Sequence, residues 1–147
     1  MEKNLDKRYQ TLVVLWFALL MSIGMYFLFS VFVSPAVSNE ARTPPRSLLI
    51  VVLTALGTFL VIVSFAVKRK LLERSVGKQD VGLVQKGLVI ACAMCEVSAL
   101  LGLLEHFVTT NRDYYLLFLL AAAGTAFHFP SRRQLEAASY QNPAQLS

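Results

Sequence analysis

The stretch Leu48-Leu49-Ile50-Val51-Val52-Leu53-Thr54-Ala55-Leu56-Gly57-Thr58-Phe59-Leu60-Val61-Ile62-Val63-Ser64-Phe65-Ala66-Val67 runs for 20 residues without a charged side chain and ends at Lys68-Arg69-Lys70. At about 1.5 Å per helical residue it reaches about 30 Å, the thickness of a bilayer's hydrocarbon core, so it reads as a transmembrane helix. Three more apolar stretches accompany it: Leu12–Val33, Gly87–Leu104 and Tyr114–Phe129. Glu96 is the one formally charged side chain in all four. Composition agrees, since 56% of the 147 residues are apolar and 16% charged, against about 25% charged in soluble domains. The remainder is divided among five short pieces, none long enough to bury a core of its own, which argues against a separate soluble catalytic domain.

The predicted fold is all-α: a polytopic transmembrane four-helix bundle with both termini cytoplasmic, forming a single membrane domain over residues 1–147. Its spans are expected at about 12–33, 48–67, 87–104 and 114–129, with a cytoplasmic basic loop at 68–86 and a short cytoplasmic tail at 131–147. The orientation comes from the placement of the positive charge. The N-terminal arm, the middle loop and the tail hold eleven Lys and Arg residues, while the two remaining loops hold Arg42, Arg46 and Arg112. Positive loops stay in the cytoplasm. The net charge of +5 is thus accounted for by topology, and no stacking aromatics interleave the basic run as nucleic-acid binding would need.

Span one follows a basic arm and precedes Ala36-Val37-Ser38, but its 22 apolar residues exceed a signal peptide's apolar core, so it is expected to stay as a span. Pro35, Pro44 and Pro45 mark a loop after it. Gly77 is expected to break the second helix, and Asp80 or Gln79 to cap the third. Glu105, His106, Arg112 and Asp113 fall in a short outer loop beside the interfacial pair Tyr114 and Tyr115. Span four stops at Pro130, and Ser131 with Gln134 resembles a capping box for a brief interfacial helix.

Span three carries the chemistry. Gly87, Ala91, Cys95, Ser98 and Gly102 recur at spacings of four, four, three and four, which places five small side chains on one helical face. In lipid, close packing drives helix association, so this seam is expected to meet another span, with Ala121-Ala122-Ala123-Gly124 as the candidate surface, or else a second copy or another membrane subunit. Cys92 and Cys95 form a C-x-x-C, but one pair at mid-bilayer, where a thiolate is disfavoured, lacks the exposed second pair that thiol oxidoreductases use. Both are read as packing residues. With His106 and His128 placed at opposite faces, no metal or haem site is expected, and no cofactor.

Glu96 is the exception. An ionisable group near the centre of a span costs about 2.5–3.5 kcal/mol on insertion scales and marks a candidate functional site. Helix rise places Ser22 of span one and Thr58 of span two at nearly its depth, so both are candidate hydrogen-bond partners. The stretch Gln85 to Leu104, an alanine-rich apolar run around one glutamate followed by a Leu-Gly pair, resembles the carboxylate helix of the rotary ATPase proteolipid (c) subunit. Residues 48–80 resemble the first half of that hairpin. The resemblance implies an ion-binding role at Glu96. Two functions follow as expectations: an accessory or structural subunit of a bacterial cytoplasmic membrane, without a catalytic site, acting through helix contacts; or proteolipid-like proton or cation handling at Glu96. The partners expected are the lipid bilayer and other membrane subunits or a second copy, with no nucleic acid.

Overall fold

The structure, a computed structural model, describes residues 2–33, 45–109 and 112–139. Among the described residues five α-helices follow one another: α1 Glu2–Phe32, α2 Pro45–Lys78, α3 Val81–Thr109, α4 Tyr115–Phe127 and α5 Arg132–Ser139, with a 3₁₀ turn at Arg112–Tyr114 leading into α4. No strand occurs among the described residues. The first three helices are long and apolar enough to cross a membrane. The fourth, at 13 residues, covers about 20 Å by helix rise and is shorter than the stretch expected for it.

The helices outrun the apolar stretches that predict them. The basic segment 68–86 is helical on both sides of a tight turn, in keeping with the expected break and cap within it, because charged residues form helix as readily as apolar ones. Gly77 does not stop α2; its helical backbone continues to Lys78. The stop is Gln79, in the left-handed region at φ 50°. Its N–H donates to the Val76 carbonyl at 3.3 Å and the Asp80 N–H to the Ser75 carbonyl at 3.1 Å, the pair of bonds that closes a helix C-terminus in a Schellman motif. Asp80 then caps α3, its Oδ1 accepting the Gly82 N–H at 2.8 Å. At the far end of α3, Glu105 and His106 belong to the helix and not to a loop.

α3 is the axis. It packs against α1, α2, α4 and α5, whereas among the described residues the backbones of α1 and α2 do not come close to each other. Accordingly 44% of the apolar window of α3 is buried, against 22% for α2 and 11% for α1. The small-residue face of α3 explains the close approach. A Cβ on Gly87 would lie 3.2 Å from Leu71 Cβ in α2, and one on Gly102 would lie 3.0 Å from Leu117 Cβ in α4. Ala91, Cys95 and Ser98, between them, are fully buried. The seam is therefore occupied by the chain's own second and fourth helices.

One end of the molecule gathers the start of α1, the α2–α3 turn, the end of α4 and all of α5. Leu135 and Ala138 of α5 pack into a cluster with Leu12, Val84, Leu88 and Cys92. Arg132 pairs with Asp6 at 3.2 Å and lies 5.0 Å from the Tyr9 ring centroid. The tail helix is thus docked on the helix ends. The basic residues of four elements consequently share this end.

Candidate functional site: a carboxyl on the third helix clasped by the first

Residues 95 and 96 are successive on α3 and so point about 100° apart. Cys95 turns toward α2, where its Sγ is 3.6 Å from Ser64 Oγ. Glu96 turns toward α1. Ser22 and Tyr26, one helical turn apart on α1, both reach the same carboxyl oxygen: Ser22 Oγ lies 2.5 Å and Tyr26 Oη 3.1 Å from Glu96 Oε1. Glu96 forms no ion pair among the described residues.

The Ser22 hydroxyl has a second neighbour, the Leu19 carbonyl at 2.8 Å. A hydroxyl has one proton, and a backbone carbonyl can only accept. When Ser22 donates to Glu96, as an ionised carboxylate requires, the Leu19 carbonyl keeps only its backbone donor within the helix. When Ser22 donates to Leu19, the carboxyl must supply the proton between itself and Ser22, as only a neutral carboxyl can. Tyr26 donates to Oε1 in both arrangements. The same heavy-atom frame therefore accommodates both forms of the acid by rotation of one hydroxyl.

Thr58, the other expected partner, is not in the site. Its hydroxyl donates to the Thr54 carbonyl at 2.8 Å, and it lines a groove of about 630 Å³ between α2 and α4. Helix rise fixes depth but not direction, and α2 lies on the flank of α3 away from Glu96.

Two further polar groups were not expected in the core. Glu105 is 1% exposed, and Thr54 Oγ1 donates to its Oε2 at 3.3 Å. The signal for it was the seam itself, because continuing the spacing of Gly87 to Gly102 by three and then four reaches Glu105 and Thr109, both buried. His128 is fully buried. Its Nε2 is 2.8 Å from Ser64 Oγ, its carbonyl accepts from Lys68 Nζ at 3.0 Å, and its ring centroid lies 4.5 Å from that of Phe65. Alongside, Trp16 Nε1 donates to the Thr125 carbonyl at 2.7 Å. These contacts hold the end of α4, where helix carbonyls lack intrahelical donors.

Cys92 and Cys95 are buried free thiols, and His106 lies against Tyr114, ring centroids 4.1 Å apart, while His128 contacts Ser64 in the middle of α2. Among the described residues no three His, Cys, Asp or Glu side chains converge as a metal site. Compared with protein-family models, curated proteins and solved structures, the chain gives no significant match.

Proposed function

We propose that this protein is a four-span subunit of a bacterial cytoplasmic membrane, its termini and basic end in the cytoplasm, that acts through helix contacts with other membrane subunits or a second copy and has no catalytic site of its own. The observation that carries this reading is how polar and apolar surface are divided. Within the apolar stretches several polar side chains are used internally, Glu96 with Ser22 and Tyr26, Ser64 with His128, and Trp16 with the Thr125 carbonyl. What remains outward on α1 and α2 is apolar, including Phe17, Met21, Met25, Phe59 and Ile62. Such faces suit lipid and partner helices alike. Purification from the native membrane in mild detergent tests the reading: the chain should travel in an assembly of fixed stoichiometry, and a lone monomer under all mild conditions would overturn it. Orientation is tested with single cysteines in a background lacking Cys92 and Cys95. Cysteines replacing Ser38 and Asn111 should react with an impermeant reagent from outside, and one replacing Gln79 should not; the reverse pattern would invert the topology.

A second reading, proton handling at Glu96 in a proteolipid-like manner, is favoured by one specific observation. Ser22 stands between Leu19 and Glu96 with a single proton to give, so the site can gain or lose a proton without moving its helices. The reading makes Glu96 the proton-binding group and Ser22 and Tyr26 its positioning residues.

A further inference from the structure

The basic end carries more cations than its own carboxylates answer. Asp6 is taken by Arg132 and Glu73 by Arg69, Asp80 caps the start of α3, and Glu136 on α5 is exposed and in no ion pair among the described residues, one carboxylate against the several cations that follow. Lys68 is directed inward to the His128 carbonyl. Among the described residues Lys7, Arg8, Lys70, Arg74, Lys86 and Arg133 have no carboxylate partner.

On the flank of α3 a shallow groove of about 370 Å³ is lined by Gly82, Gln85, Lys86, Val89 and Ile90. Its lining changes character along the helix. Gln85 and Lys86 are exposed and polar, and Val89 and Ile90, about 5 Å further along by helix rise, are apolar. Lys86 is the last charged residue before the apolar run that begins at Gly87, so it stands at the depth of lipid phosphates when Gly87–Leu104 lies in hydrocarbon. A polar, cationic head above an apolar wall matches one class of molecule.

We propose that this end of the protein is a binding surface for anionic phospholipid, with a phosphate at Lys86 and Gln85 and an acyl chain along Val89 and Ile90, inside a collar of headgroups held by Lys70, Arg74 and Arg133. The proposal rests on the bilayer reading of the apolar helices but on neither reading of Glu96. Each basic residue near an anionic surface contributes about fivefold in affinity, and the attraction weakens with salt.

The single tryptophan, Trp16, packs against the cluster at this end and serves as the probe. The full chain is reconstituted into phosphatidylcholine vesicles containing a small fraction of lipid brominated high on the acyl chain, either phosphatidylglycerol or phosphatidylcholine. Brominated phosphatidylglycerol should quench Trp16 with an apparent affinity about fivefold or more above brominated phosphatidylcholine at low salt. The preference should fall toward parity in high salt and in the Lys70→Gln, Arg74→Gln, Lys86→Gln triple variant, which alters only exposed or half-buried side chains outside the core. Equal quenching by the two lipids in the wild type, or a preference unchanged in the triple variant, would overturn the proposal. Failure of the chain to enter vesicles at all, judged by flotation, would instead overturn the bilayer reading and the proposal with it. Selective capture of an acidic soluble peptide, with no lipid preference, would reassign the surface to a protein partner.

Discussion

Valine at Gly102 or Gly124 should lower stability by about 1–3 kcal/mol, the range for overpacking a filled core, and Gly102 should be the worse of the two. The ranking follows from what a new side chain would meet. A Cβ at Gly102 falls 3.0 Å from Leu117 Cβ and 3.3 Å from the Tyr114 carbonyl oxygen, atoms fixed by the start of α4 that cannot rotate away. At Gly124 it falls 2.9 Å from Val61 Cγ1 and 3.0 Å from Cys95 Sγ, both on buried side chains. At Gly57 the nearest atoms are Leu117 Cδ2 at 2.8 Å and Ser98 Oγ at 3.1 Å, both the ends of side chains and not backbone. A valine there should cost less. Gly24 and Gly77 have nothing within 4 Å of a new Cβ and sit inside helices, so alanine at either should be neutral or stabilise by up to about 1 kcal/mol. Thermal unfolding of the five variants in one detergent checks the order. Equal midpoints for Gly102→Val and Gly24→Ala would show that α3 and α4 are not packed as described.

The seam was legible because periodicity survives without knowledge of neighbours: five small residues on one face of an apolar run can only be a packing surface. The division of labour around α3 was not. Depth along a helix can be counted, and that count brought Ser22 to the level of Glu96, as the hydrogen bond at 2.5 Å requires. It brought Thr58 to the same level, yet direction around the axis depends on which helices flank α3, and α1 and α2 lie on separate sides. Tyr26, one turn beyond Ser22 on the same face of α1, was open to the same count. Glu105 was lost for the opposite reason. Its charge ended the apolar count at Leu104, whereas the helix and its buried face run on to Thr109. The basic segment 68–86 was legible as two helix ends, since a break at Gly77 and a cap at Asp80 or Gln79 leave only a turn between α2 and α3, and the turn falls two residues later, at Gln79. Leu71, which lies against Gly87, was the apolar residue that marks a helix continuing to pack beyond the bilayer.

Removing the Glu96 side chain should separate α1 from α3 more than any other polar substitution. In Glu96→Ala both the Ser22 and Tyr26 hydroxyls lose their shared acceptor in a half-buried, water-poor junction, at a cost of about 1–3 kcal/mol. Glu96→Gln keeps an acceptor oxygen at the same place and should stay within about 1 kcal/mol of the wild type. A double-mutant cycle of Glu96→Ala with Ser22→Ala, and another with Tyr26→Phe, should each return a coupling of about 0.6 kcal/mol, up to about 1.7 kcal/mol, as for other interhelical hydrogen bonds in membranes; zero coupling with both would dissolve the clasp. The glutamine variant then divides the two functional readings. It retains shape but cannot release a proton. If the carboxyl only ties α1 to α3, the glutamine protein should assemble with its partners and support the cell as the wild type does. If Glu96 handles protons, the glutamine protein should fold and assemble but fail to function, and the infrared carboxyl band it lacks should, in the wild type, interconvert with a carboxylate band as pH is varied. Ser22→Ala adds the discriminating control. It takes away the rotor while leaving Glu96 and Tyr26 in place, so it should shift that interconversion under the proton reading and change only stability under the other.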